Sequence, residues 1–222
     1  MTLNLGPSKY FSNFMIWNCL LDRLEIALQA VRCKRKERSN FEVSWSFSIG
    51  YTSYTLGAKG FETPHQIQNG IYKTLGICLT NPHYKRTRRW QVILFDIATI
   101  VFKHFIPEDF CGYEYCIHFS KIDKPHHFVP QHRDCHDISH QYAIHLGTWE
   151  GASLVTYDNE CNVLQTFSQS RRLVKFDGRL PHEVKVSSNF SGERYSVIAF
   201  QLWHSRKKIP DPFSLPEEIK LF

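Results

Sequence analysis

The chain has no run of about eighteen apolar residues. Its longest candidate, residues 92–102, contains Asp96 and is too short to cross a bilayer, so no membrane partner is expected. The opening MTLNLGPSKY lacks the basic start and apolar run of a secretory signal. Seven cysteines follow neither a zinc-finger nor a paired spacing. This predicts reduced thiols in an intracellular protein, nuclear if its source is eukaryotic. Internal repeats and low-complexity tracts are also missing, as is the regular alternation of helices and strands that a Rossmann sheet needs.

What is there suits one substantial domain. Of 222 residues 42% are hydrophobic and 14% aromatic, enough for a sizeable core and against wholesale disorder. The formal charge of +6 is unevenly placed. Residues 1–110 hold 14 basic and 8 acidic side chains, whereas residues 111–222 hold 13 of each. The excess falls in two clusters, Lys34, Arg35, Lys36 and Arg38, then Lys85, Arg86, Arg88 and Arg89. Such clusters suit phosphate and equally suit a solvated face.

Periodicity divides the chain. Helical stripes run over 16–31 and 88–105, the second stopped by Pro107, and a shorter helix is expected after Thr63-Pro64. Residues 41–56, rich in aromatics, Ser and Thr, read as strands. Beyond residue 110 the period becomes two. Tyr113, Tyr115, Ile117 and Phe119 alternate with polar neighbours as in a half-buried strand, and further strands are expected at 142–146, 152–157, 163–167, 173–176, 182–186 and 195–203. Turn residues punctuate them, notably Asp177-Gly178 and Ser191-Gly192. This predicts a mainly β domain with supporting helices: a helical, basic region over 1–110, an all-β core over 111–204, and a proline-bearing tail over 205–222 that is an extended wrap or a loose end.

The stretch HRDCHD, residues 132–137, concentrates imidazoles and carboxylates. On an extended strand, residues two apart face one way, so His132 and Asp134 project together. FDGRLPHEV supplies a third candidate ligand, His182, just after a turn. Two histidines and one carboxylate on one face are the ligand set of non-haem Fe(II), with three positions left for co-substrate and oxygen. Arg194 follows, sharing a strand face with Ser196. An inward arginine needs an anion, and its planar fork fits a carboxylate such as the far end of 2-oxoglutarate. The same residues admit other readings. His132, His136 and His140, four apart, would form a zinc site on a helix. A polar loop, a core histidine and an ion-paired arginine would need no metal at all.

HRD, FDGRLPHEV and GERYSVIAF resemble the motifs of the iron- and 2-oxoglutarate-dependent dioxygenases over roughly residues 111–204. The resemblance implies a double-stranded β-helix, or jelly roll, with helices backing one sheet. It implies Fe(II) on His132, Asp134 and His182, with the co-substrate on Arg194. The implied reaction consumes oxygen and 2-oxoglutarate, releases succinate and carbon dioxide, and hydroxylates a carbon. The ending FDGRLPHEV…FSGERYSVIAF is most similar to the branch related to the TET/JBP nucleobase hydroxylases. That implies oxidation of the 5-methyl group of 5-methylcytosine or thymine in DNA, with RNA as a second nucleic-acid partner. The cysteine-rich extension of the larger animal members is missing.

A base would have to be flipped out to reach a buried ion. Candidate substrate contacts are then Asp137, His140 and Trp149, with Trp45 and Tyr54 as further stackers and Lys85, Arg86, Arg88 and Arg89 on phosphates. A hydroxylase of a protein side chain or small molecule would keep the same metal and co-substrate residues. A non-catalytic β-sandwich interaction module would need neither ion nor keto acid.

Overall fold

The structure is a computed structural model and describes residues 7–32, 40–50, 71–72, 79–80, 89–106, 115–134, 137, 139–201 and 216–219. The helix expected after Pro64, Tyr54, Tyr113, His136, Lys34, Arg35, Lys36, Arg38, Lys85, Arg86 and Arg88 lie outside the described residues.

Both expected long helices are present. α1 (Pro7–Gln29) begins well before residue 16, with a proline at its first position, where the missing N–H costs nothing. Arg32 Nη1 donates to the carbonyl of Gln29 at 2.8 Å, satisfying one acceptor of the last turn. α2 (Arg89–Phe105) matches the expected span almost residue for residue.

Among the described residues, twelve strands occur, in chain order: β1 (Trp45–Gly50), β2 (Ile71–Tyr72), β3 (Leu79–Thr80), β4 (Cys116–Ile122), β5 (Val129–His132), β6 (Gln141–Leu146), β7 (Trp149–Tyr157), β8 (Val163–Phe167), β9 (Leu173–Phe176), β10 (His182–Gly192), β11 (Arg194–Phe200) and β12 (Glu217–Ile219). They form an eight-stranded sheet, ordered β12-β9-β6-β11-β4-β1-β3-β2, and a four-stranded sheet, ordered β5-β10-β7-β8. Every pairing among them is antiparallel except β1 with β3. The fold is thus α+β and dominated by two antiparallel sheets, which stay separate in their hydrogen bonding among the described residues. Of the two expectations for the tail, Glu217–Ile219 follows the extended wrap, pairing with β9 as an edge strand.

One face of the large sheet packs on the helices. Phe47, Ile49, Ile117, Phe119, Ile144 and Val197 are buried there against Leu21, Leu24, Leu28, Leu94, Val101 and Phe102. Each such side chain contributes ~1.5–3 kcal/mol. The other face meets the small sheet, where Ala143, Val174 and Phe176 pack on Leu154 and Phe167. A sheet covered on both sides changes the meaning of its alternation. β4 is buried on both faces, so the half-buried reading fails: His118 and Ser120 turn into the interior, not toward water. β6 is buried along its whole length for the same reason.

Candidate metal centre

The antiparallel register of β5 and β10 sets His132 directly opposite His182. Their ring centroids lie 4.2 Å apart. Asp134 follows the end of β5 and its backbone N–H donates to the carbonyl of Gly178 at 2.7 Å, which brings it to the same place. Asp134 Oδ1 is 3.8 Å from His132 Nε2, and Oδ2 is 3.6 Å from His182 Nε2. Among the described residues, these three offer ligand atoms that all lie within 4.8 Å of one another. Adjacent donors on one first-row ion are about 3 Å apart, so a small closure completes the site.

The protonation states fit a metal. His132 Nδ1 lies 2.8 Å from the Pro130 carbonyl, and His182 Nδ1 lies 3.0 Å from the Leu180 carbonyl. A carbonyl only accepts, so each Nδ1 carries a hydrogen, and Nε2 is the nitrogen that faces the carboxylate and is placed to bind a metal. Phe41 and Phe176 pack on the two imidazoles, with centroids at 5.0 and 5.3 Å. The turn before His182 supplies two of the three supporting carbonyls, those of Gly178 and Leu180. It is stapled by a buried pair, with Arg179 Nε and Nη2 donating to Asp177 at 2.8 and 2.6 Å. Two nitrogens and one carboxylate on one face, with the remaining directions open to a cavity, are the donor set of non-haem Fe(II) oxygenases.

The same cavity has a cationic floor. Arg194 is 1% exposed and lines it together with His132, Asp134 and His182. Nη1 donates to Ser196 Oγ at 2.8 Å, and Nη2 lies 3.1 Å from Nδ1 of His145. Nε has no hydrogen-bond partner, and among the described residues no carboxylate forms an ion pair with this guanidinium. Burial lowers its pKa to about 9. His145, also buried, is held neutral by burial first and by the Arg194 charge second.

The structure therefore gathers His132, Asp134, His182, Arg194 and Ser196 around one cavity. Asp137 also lines it but is 3% exposed, so it sits inside and not at an open mouth. His140 lies elsewhere: its Nε2 pairs with the Tyr142 hydroxyl at 2.9 Å, on the strand face opposite Gln141. Trp149 is half-buried and stands 5.6 Å from the Arg194 guanidinium, its indole donating to the Ala152 carbonyl. It stands within cation–π range of the cavity's guanidinium and is not itself among the cavity's lining residues. Trp45 belongs to the helix-facing core, stacked on Phe47. Arg89 is exposed at the start of α2, away from the cavity lining. The helical zinc reading fails because residues 129–132 are strand and His140 is turned away.

Gln141, His145 and Ser120 are cavity residues that the sequence does not single out. Their one signal is strand period: Gln141, Ala143 and His145 share a face of β6, and Ser120 shares a face of β4 with His118. Alternation alone reads such a face as solvent.

No family model matches the chain, and no curated protein matches it. Among solved structures, a 2OG-Fe(II) oxygenase family oxidoreductase from Burkholderia pseudomallei is similar at 17% identity. The match covers 58% of this chain and 63% of that one, with a TM-score of 0.39. Vicilin from Solanum melongena is similar at 6% identity over 48% of this chain and 25% of that one, with a TM-score of 0.33. A variant of the oxalate decarboxylase of B. subtilis is similar at 10% identity over 48% and 24%, with a TM-score of 0.31. The matches span about a quarter of the length of the vicilin and the decarboxylase.

Proposed function

We propose that this 2-oxoglutarate-dependent dioxygenase, with a double-stranded β-helix as its core, holds Fe(II) on His132, Asp134 and His182 and anchors its co-substrate on Arg194 and Ser196. One observation carries the reading: two imidazole Nε2 atoms and a carboxylate converge in a cavity that also holds a buried guanidinium with no carboxylate partner among the described residues. A non-catalytic module would gain nothing from burying that charge, which is costly until an anion meets it.

Each residue then has a task. The carbonyls of Pro130 and Leu180 keep both imidazoles in the metal-binding tautomer. The Arg194 fork and Ser196 receive the distal carboxylate of 2-oxoglutarate and so fix where its keto-acid end lies. Phe41, Leu154, Phe176, Ile198 and Phe200 wall the cavity with apolar surface and exclude water. Iron, when bound, supplies the oxygen chemistry that side chains cannot. Anaerobic addition of Fe(II) and 2-oxoglutarate should produce a visible charge-transfer band, absent in Arg194→Met. If wild-type protein shows no band and makes no succinate with any substrate, the reading is wrong.

The substrate we favour is the 5-methyl group of a pyrimidine in DNA. Support comes from the resemblance of residues 176–200 to the TET/JBP branch and from the basic excess before residue 110. A base would be flipped into the apolar cavity, with binding that weakens steeply as salt rises. Hydroxylation of a protein side chain or a small molecule uses the same geometry, and the site by itself backs that less specific reading better than the DNA one. Oxygen pulses on methylated DNA, RNA and peptides, read by mass spectrometry, decide between them. An oxidised peptide with untouched DNA would overturn the nucleobase reading.

A further inference from the structure

Gln141 stands 2% exposed on the inner face of β6, and its amide nitrogen is shared between two carboxylates. Nε2 donates to Asp134 Oδ2 at 2.8 Å and to Asp137 Oδ2 at 2.6 Å. A primary amide has two N–H groups, and both are used here. The backbone reinforces the arrangement, because Asp137 N–H donates to the Asp134 carbonyl at 3.0 Å. Gly178 makes room for it: a Cβ there would meet Gln141 Nε2 at 2.2 Å and Cδ at 2.6 Å. The turn whose carbonyl holds the Asp134 backbone thus also needs to be glycine for the amide to reach the Asp134 side chain.

We infer that Gln141 is a positioning residue that makes Asp134 a one-oxygen ligand and holds Asp137 as a second, non-ligating anion beside the metal. The inference rests on the dioxygenase reading above and extends it. Oδ2 also lies 3.6 Å from His182 Nε2 but spends a lone pair on the amide, which leaves Oδ1, 3.8 Å from His132 Nε2, as the freer donor to the ion. This matters because a carboxylate binding through both oxygens would occupy one of the positions that a chelating co-substrate and oxygen require. A neutral amide suits the task better than lysine or arginine. A cation would donate equally well, but it would cancel the Asp134 charge and repel the divalent ion. An imidazole binds a metal as a neutral ligand, so the carboxylates of Asp134 and Asp137 together would match the ion's double positive charge.

Mn(II) alone is the probe, read by calorimetry and by water-proton relaxation of the loaded protein, neither of which needs turnover. Gln141→Met should bind Mn(II) roughly 10–100-fold more weakly, the usual range for a lost supporting contact. It should also lose one exchangeable metal-bound water as Asp134 turns to bind through both oxygens. Asp137→Asn keeps an acceptor for the amide and removes a charge. It should weaken Mn(II) about tenfold with an unchanged water number. Gly178→Ala pushes the amide aside without altering it and should reproduce the Gln141→Met water loss. This second route keeps the test decisive if Gln141→Met fails to fold. Tight Mn(II) binding with the wild-type water number in Gly178→Ala and in folded Gln141→Met overturns this inference alone. Failure of wild-type protein to bind Mn(II) overturns it together with the dioxygenase reading.

Discussion

Arg194 Nη2 lies 3.1 Å from Nδ1 and 3.2 Å from Nε2 of His145, so a fully buried cation faces an imidazole and, among the described residues, no anion. The two groups act on each other. The guanidinium charge adds to burial in keeping the ring neutral. The ring in turn offers a lone pair that holds the fork in place without cancelling its charge. The result is a preformed anion socket whose electrostatic cost is met only when a carboxylate binds.

Replacing Arg194 with methionine should separate the socket from the metal. Two charge-assisted hydrogen bonds at ~1.5–3 kcal/mol each imply a loss of about 10²–10⁴ in 2-oxoglutarate affinity. Mn(II) affinity should stay within a few-fold, and calorimetry reads both. The unliganded variant should be as stable as wild type or more so, since a desolvated charge has gone.

Acidification should destabilise the protein through His145. Its folded pKa lies well below 6.5, so below pH 6.5 the unfolded chain takes up a proton that the folded one refuses. Stability is therefore full above about pH 6.5 and falls by ~1.4 kcal/mol per pH unit below it, until the folded pKa is reached. Chemical denaturation at pH 7 and pH 5 measures the slope, and His145→Gln should flatten it by about one proton.

Metal binding should be visible as stability. At 100 times its dissociation constant, Mn(II) should add ~2.7 kcal/mol, and a chelator should remove it. His182→Ala takes one donor from the three and should abolish the increment while leaving the metal-free melting temperature within a few degrees. Differential scanning calorimetry with and without Mn(II) checks it.

Gly192→Ala should injure fold and socket together. Gly192 has φ +89°, and a Cβ there would stand 2.1 Å from the Thr148 carbonyl oxygen. Backbone cannot yield as a flexible side chain can. A loss of about 2 kcal/mol or more is expected, roughly 4–8 °C in melting temperature. Arg194 enters its strand two residues later, so 2-oxoglutarate affinity should fall as well.

Much of this was legible before any coordinates. The helix at 89–105 and the strands at 163–167 and 173–176 stand where period and turn residues put them. The motif HRD, the distant His182 and the pair Arg194 and Ser196 named the cavity's principal side chains. The less legible parts share a cause. His118, Ser120, Gln141 and His145 occupy the polar phase of alternating strands, and a single sequence cannot tell a face turned to water from one turned to an interior cleft. In the sequence Asp137 stands out for lying just beyond the candidate ligands and Trp149 as an aromatic stacker, whereas their contacts, Gln141 for one and Arg194 for the other, are set by packing.

By itself, then, the sequence determined the element types, the β-rich rear half and the identities of the metal-ligating candidates, because period, turn chemistry and donor chemistry are local properties. Only the tertiary structure decided that His132 and His182 are cross-strand partners, that Arg194 lacks a carboxylate among its described neighbours, and that one amide serves two aspartates. Those are matters of register and of what lies opposite, and they arise only when strands some fifty residues apart are paired and a second sheet closes over them.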